Sequence, residues 1–102
     1  MSTAALQRDG ATLTFTGALD RAAAQALWPQ AHRALDGAQR LDVSAVSSLD
    51  SAGLALLVAL AARLRAAGGA VSVEGTPPGL AELRAAYRLT PALDYLPASQ
   101  PA

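Results

Sequence analysis

Residues 41–57 read LDVSAVSSLDSAGLALL, and they form the most specific part of the sequence. Leu41 and Val43 alternate with polar neighbours, which predicts a short strand. Residues 44–49 are mostly small and polar, and we expect them to form a connection. Residues 50–53 then combine short polar side chains with a glycine, as at a helix start, and the apolar run after them predicts a long helix.

The long helix is predicted to end at Gly68-Gly69, because glycine is common just past helix ends. At about 100° per residue, one broad side suits packing on a sheet and carries Leu54, Leu57, Leu60, Ala61 and Leu64. A second side carries only alanines, namely Ala55, Ala59, Ala62 and Ala66. This alanine side is either covered within the domain or open as a docking surface. A domain this small has few elements to spare as a cover.

The segment before residue 41 predicts a hairpin and a helix. Asp9-Gly10 is a tight-turn pair between two strands, residues 4–7 and 11–16. Asp20 can cap the helix that follows, and Pro29 is expected to kink or split it.

The segment after residue 69 predicts a strand over residues 70–74 and a last helix over residues 80–87, with Leu80, Leu83 and Tyr87 as candidates for its inner face. Strand–helix–strand units joined by short links favour parallel neighbours. We therefore expect an α/β fold, with a small mixed β-sheet and helices packed on it. The single domain is predicted over residues 1–97, with a flexible tail over residues 98–102.

Composition excludes several classes of protein. The chain has 102 residues, which fit one domain, and no cysteine, which removes disulfides and thiolate metal sites. Eight arginines, with no lysine, balance eight acidic residues, whereas nucleic-acid binding normally shows a basic excess. The first residues lack the pattern of a secretory signal. The longest apolar stretch, residues 52–62, is too short for a membrane span of about 20 residues.

Catalytic chemistry finds little support in the residue pattern. Nucleophilic catalysis by Ser51 needs a base, and the single histidine, His32, lies in another predicted helix without an orienting partner. Asp20, Asp42 and Asp50 could supply paired carboxylates, but nothing in the sequence fixes their separation. We therefore expect a non-catalytic protein without metal or cofactor, and a small hydrolase is the rival interpretation.

Two roles fit each of the distinctive residues near the helix start. Ser51 can satisfy free backbone N–H groups as a cap, or it can present a functional hydroxyl. Gly53 can let a backbone approach the helix start closely, or it can only relieve crowding against the sheet. Asp42 suits a strand-end residue that accepts turn hydrogen bonds, and Trp28 suits either the core or the rim of an interface.

The central stretch resembles the signature of STAS domains, the fold shared by the cytosolic domains of sulfate transporters and by anti-sigma-factor antagonists. In that family a strand ending in Asp-(Leu/Val)-Ser leads through a loop to Asp-(Ser/Thr)-x-Gly at a helix start. The matching positions here are Asp42, Ser44, Asp50, Ser51 and Gly53. The resemblance implies that Ser51 occupies the position of the phosphorylatable Ser or Thr of the antagonists.

Within the family, residues 17–21, 27–28, 50–57 and 80–96 look most like the small STAS subunit of Mla-type phospholipid ABC transporters of Gram-negative bacteria. This resemblance implies a cytoplasmic subunit, held at the inner membrane by its complex, that binds and regulates the transporter's MlaF-like ATPase and so helps to maintain outer-membrane lipid asymmetry. We predict docking through residues on the loop and the long helix, with Asp42 and Ser44 supporting the loop: Asp50, Ser51, Gly53, Ala55, Ala59 and Ala62. The neutral net charge predicts a mainly apolar contact.

The alternative implied by the same family is an anti-sigma-factor antagonist. Its partner would be an anti-sigma factor with serine-kinase activity, and phosphorylation of Ser51 would control the affinity. A phosphate would add about −1.5 to −2 charges beside Asp50. It would therefore repel an acidic partner surface.

Overall fold

A four-stranded mixed sheet with three helices forms the domain in the computed structural model, which describes residues 4–69, 71–90 and 93. The elements are β1 (Ala5–Asp9), β2 (Thr12–Leu19), α1 (Arg21–Arg33), β3 (Arg40–Leu49), α2 (Ser51–Ala66), β4 (Ser72–Glu74) and α3 (Leu80–Ala86). The sheet order is β1-β2-β3-β4. β1 and β2 are antiparallel, whereas β2–β3 and β3–β4 are parallel. The predicted α/β class and mixed sheet are confirmed.

The hairpin forms around Gly10, whose φ of 60° is easily adopted by glycine. Leu6 of β1 lies opposite Phe15 of β2, and both are buried. β2 runs on to Leu19, three residues past the stretch predicted from the alternation. Its last residue, Leu19, is fully buried and pairs with Leu49.

The largest correction concerns residues 44–49, which were predicted as a polar connection and instead extend β3 to Leu49. Val46 and Leu49 are buried, so the spacing of inward residues changes from two to three after Val43. The register with β2 shifts twice, and each shift places an extra residue in β3. Such bulges re-aim the side chains that follow them. The regular alternation that marks a strand in sequence is therefore lost.

α1 is a single helix from Arg21 to Arg33 with Pro29 inside it, so of the two predicted effects of Pro29, a kink or a split, the split is wrong. Proline removes one backbone donor and leaves the carbonyl of Gln25 without its helical partner. Residues 25 and 29 are both exposed, so water can satisfy that carbonyl. Asp20 caps the helix as predicted, accepting a hydrogen bond from the Ala23 N–H at 2.9 Å.

The core lies between the sheet and the α1–α2 pair, which pack against each other. The sheet side of α2 is buried as predicted, at Leu54, Leu57, Leu60, Ala61 and Leu64.

β4 begins at Ser72, and Ala70 lies outside the described residues. α3 buries Leu80, but Tyr87 is 47% exposed, so its predicted inward orientation is wrong. The proposed tail, residues 98–102, also lies outside the described residues.

Replacing Leu49 with alanine tests the extension of β3. Leu49 is 7% exposed, so its truncation should leave a cavity and lower the free energy of unfolding by about 2–5 kcal/mol. Ser48 is exposed, so Ser48→Ala should change it by less than about 0.5 kcal/mol. Urea unfolding of both variants measures the contrast. Equal stability of the two would mean that residues 44–49 are a surface connection after all.

Candidate functional site

The candidate site is built around the start of α2, which only Asp50 separates from β3. The Asp50 carboxylate accepts a hydrogen bond from the Gly53 N–H at 2.8 Å and so caps the helix. The backbone N–H of Asp50 donates to the Leu19 carbonyl at 3.3 Å. These two hydrogen bonds fix the start of the helix to the end of β2.

Ser51 is the first residue of α2, and its side chain is exposed. The cap is Asp50, so the capping role considered for Ser51 belongs to its neighbour. Within residues 4–69, 71–90 and 93, the Ser51 hydroxyl has no hydrogen-bond partner. This hydroxyl is therefore available to a partner or to a modifying enzyme.

Gly53 is buried and faces the end of β2 rather than the surface. A Cβ at this position would overlap the Leu19 carbonyl oxygen and would lie 2.9 Å from the Leu19 Cβ. The close backbone approach considered for Gly53 is made by the end of β2, and the absence of a side chain there also avoids crowding against the sheet. The glycine acts on the site indirectly, by letting α2 begin close to β2.

Asp42 and Ser44 lie inside β3, not in a loop. The Asp42 carboxylate accepts hydrogen bonds from the Ser44 hydroxyl at 2.6 Å and from the Ser44 N–H at 3.0 Å. The hydrogen bond from the Ser44 hydroxyl, which is the larger cause, and that from the Ser44 N–H, which is the next, hold the pKa of Asp42 below its usual value. With a strand rise of about 3.3 Å per residue, Ser44 lies roughly 15 Å from the strand end at Leu49. The structure therefore does not bring this pair next to Ser51.

The alanine side of α2 is open within the described part of the chain. Ala55, Ala62 and Ala66 are exposed, and Ala59 is half-buried. An α1–α2 groove of about 470 Å³ runs beside it, lined by Ala24, Gln25, Trp28, Ala55, Leu56 and Ala59. A smaller pocket of about 110 Å³ lies on the other side, lined by Ser51, Leu54, Ala55, Val58, Tyr87 and Leu89. Ala55 borders both, so they form one continuous, largely apolar surface.

Two aromatic residues flank this surface. Trp28 is half-buried on the α1 side, where the Arg63 guanidinium carbon lies 5.3 Å from its ring centroid. The ring of His32 lies 5.8 Å from the ring of Trp28. Tyr87 stands on the α3 side. Sequence reasoning named Trp28 but missed Tyr87 and Arg63. The Trp28–Arg63 spacing depends on how α1 and α2 pack, which no local pattern in the sequence reveals.

The fold class is shown by a solved structure. The unphosphorylated form of the anti-sigma-factor antagonist SpoIIAA superposes with a TM-score of 0.64 at 18% sequence identity, covering 96% of this chain and 91% of that one. The domain therefore has the fold of that STAS protein.

The sequence comparisons identify the family more narrowly. The family model described as "Mlab, STAS domain" matches residues 2–94, and the chain belongs to this family. It is 36% identical over 88 residues to the intermembrane phospholipid transport system binding protein MlaB of Escherichia coli K12, covering 86% of this chain and 89% of that protein. The Shigella flexneri protein of the same name gives the same values.

Two features of the described residues concern membranes and metals. None of the helices in this part of the chain combines the length and apolarity needed to cross a membrane. Among the same residues, no group of three histidine, aspartate or glutamate side chains is placed to hold a metal ion.

Substituting Gly53 tests the close approach of α2 to β2. Gly53→Ala should force the two elements apart and lower the free energy of unfolding by about 1–3 kcal/mol or more. Gly69→Ala is the matched control, because its Cβ would meet the Leu64 carbonyl oxygen at an ordinary 3.4 Å. Thermal unfolding of the free chains compares them. A Gly53→Ala variant as stable as Gly69→Ala would show that the contact with Leu19 is not tight.

Proposed function

We propose that this chain is a non-catalytic STAS subunit of an Mla-type phospholipid ABC transporter, and that it binds and stabilises the MlaF-like ATPase of that system. The observation that carries the proposal is the open apolar surface along α2, which begins at the exposed Ser51. The similarity to MlaB proteins over most of both chains supports the choice of system. The protein would act at the cytoplasmic side of the inner membrane through this complex.

The chemistry of the surface suits a protein partner. Its centre consists of small side chains at Ala55, Ala59 and Ala62, which allow another helix to approach α2 closely. Trp28 and Tyr87 stand on either side, and large aromatic residues are common anchors of interfaces. Ser51 and the cap at Asp50 provide the polar end, so a partner would meet an apolar centre with a polar rim.

The function follows from binding alone. A subunit that binds only the folded, assembled ATPase favours that state by mass action, in proportion to its concentration over its dissociation constant. No chemical step by this chain is required. Removing the chain should therefore lower the stability or the activity of the ATPase.

The alternative function, a partner-switching antagonist, draws on the exposure of the Ser51 hydroxyl. A kinase could reach this hydroxyl without unfolding the helix, and the added phosphate would lie beside the Asp50 carboxylate. The likeness to SpoIIAA supports the fold alone. Neighbouring genes separate the two functions, since a transporter operon favours the first and a sigma factor with a serine kinase favours the second.

Ser51 substitutions test the docking surface. Ser51→Thr keeps the hydroxyl and should bind the co-expressed ATPase like the parent. Ser51→Glu places a charge and a larger side chain at the contact, and we expect it to weaken binding by more than about tenfold. Ser72→Glu is the matched control, because Ser72 is exposed in β4 at the opposite end of the sheet. Pull-down and size-exclusion chromatography measure the complex. Retention of the ATPase by Ser51→Glu would exclude docking at this end of α2.

A charge in the alanine side tests the length of the same surface. Ala62 is exposed, so Ala62→Glu should leave the free energy of unfolding within about 0.5 kcal/mol while abolishing association. Ala81→Glu, on the exposed side of α3, should affect neither property. Unfolding of the free Ala62→Glu chain would show that this side is part of the core. An intact complex would place the interface elsewhere.

A further inference from the structure

The charges of the chain are distributed unevenly, although their sum is zero. Neither α1 nor α2 contains an aspartate or a glutamate. The arginines of these two helices are Arg21, Arg33, Arg63 and Arg65. The acidic residues of the described part of the chain lie in caps, loops, strands and α3. The bodies of α1 and α2 are therefore cationic, and overall neutrality conceals this.

Two of these arginines meet at one end of the α1–α2 groove. Beyond Trp28 the groove continues into a cleft of about 340 Å³, lined by Trp28, Pro29, His32, Arg33 and Arg63. Among the described residues, no carboxylate lines the groove or this cleft, and Asp36 lines a neighbouring pocket with Arg63. Within residues 4–69, 71–90 and 93, neither Arg33 nor Arg63 forms an ion pair. The guanidinium of Arg63 is instead held against the face of Trp28.

We propose that the groove accepts an apolar segment of the ATPase partner that carries a carboxylate, and that this carboxylate pairs with Arg63 and Arg33 in the cleft. This inference rests on the proposed function and specifies the chemistry of the partner. The alanines and Leu56 would contact the apolar part of the segment. Trp28, which borders both the groove and the cleft, would mark the point where apolar contact gives way to charge pairing.

A protein segment fits this surface better than an anionic membrane. Helices that lie on membranes insert large apolar side chains such as Trp, Phe and Leu. Here the exposed apolar residues along α2 are alanines, and Trp28 is half-buried against Arg63. Arg33 and Arg63 also lie together at one end of the shallow groove instead of being spread along it. One carboxylate of a protein segment can pair with both arginines at this point, whereas a layer of lipid headgroups would contact cations spread over a face.

Charge variants of Arg63 test the proposal in the co-expressed complex with the ATPase. Arg63→Gln should weaken binding by about tenfold, and Arg63→Glu by about a hundredfold, because the second change also repels the partner's carboxylate. Arg21→Glu changes the net charge equally but lies at the first position of α1, away from the cleft, and should change affinity less than about threefold. Melting temperatures of the free variants report any loss of stability, since Arg63 also lies near the C-terminal end of α2.

The outcomes separate this inference from the proposed function. Failure of the parent chain to bind the ATPase would overturn both. Normal binding by Arg63→Glu, or an equal loss with Arg21→Glu, would overturn the carboxylate pairing and leave the docking surface intact. Flotation with vesicles of phosphatidylglycerol and phosphatidylcholine provides the remaining comparison. If the parent chain binds these vesicles and Arg63→Glu abolishes that binding, the cleft is a lipid site and the proposal is overturned.

Discussion

The close approach of α2 to the end of β2 is the constraint on which the rest of the site depends. The Leu19 carbonyl accepts the Asp50 N–H and lies directly against Gly53, where no side chain could fit. The helix therefore begins within one residue of the end of β3, with Asp50 as both linker and cap. Because the backbone is held at this point, Ser51 takes a fixed, exposed position, and the leucines of α2 are directed towards the sheet.

The same arrangement creates the groove. The ends of β2 and β3 pair at Leu19 and Leu49, so the helices that follow them begin side by side at one edge of the sheet. Each begins with an aspartate cap, Asp20 for α1 and Asp50 for α2. Two helices that start together on one face of a parallel pair leave a furrow between them. Small residues, chiefly alanines, line much of this furrow, so it remains open instead of being filled by the domain's own side chains.

Sequence patterns predicted the elements whose signals are local and regular. The turn at Asp9-Gly10, the cap at Asp20 and the buried side of α2 each follow from a few neighbouring residues. The far half of β3 could not be predicted in this way, because two bulges replace the alternation of its inward residues with a spacing of three. The residues of the candidate site also divide into those with a local sequence signal and those placed by packing. Ser51 and the alanine side could be named from the sequence, whereas the meeting of Trp28 with Arg63 and the exposure of Tyr87 depend on packing between distant segments.

Net charge proves a poor guide to the partner of such a domain. A sum of zero predicts weak long-range steering, and that inference concerns the field of the whole molecule. Recognition at contact depends on the charges that line the groove and its cleft, and among the described residues these are Arg33 and Arg63. Apolar packing along the alanines can provide most of the affinity while Arg63 fixes the direction in which a segment lies. An interface of this kind would keep much of its strength as salt rises, since a pair partly shielded by Trp28 is screened less than an exposed one. It would still be sensitive to reversal of that single charge.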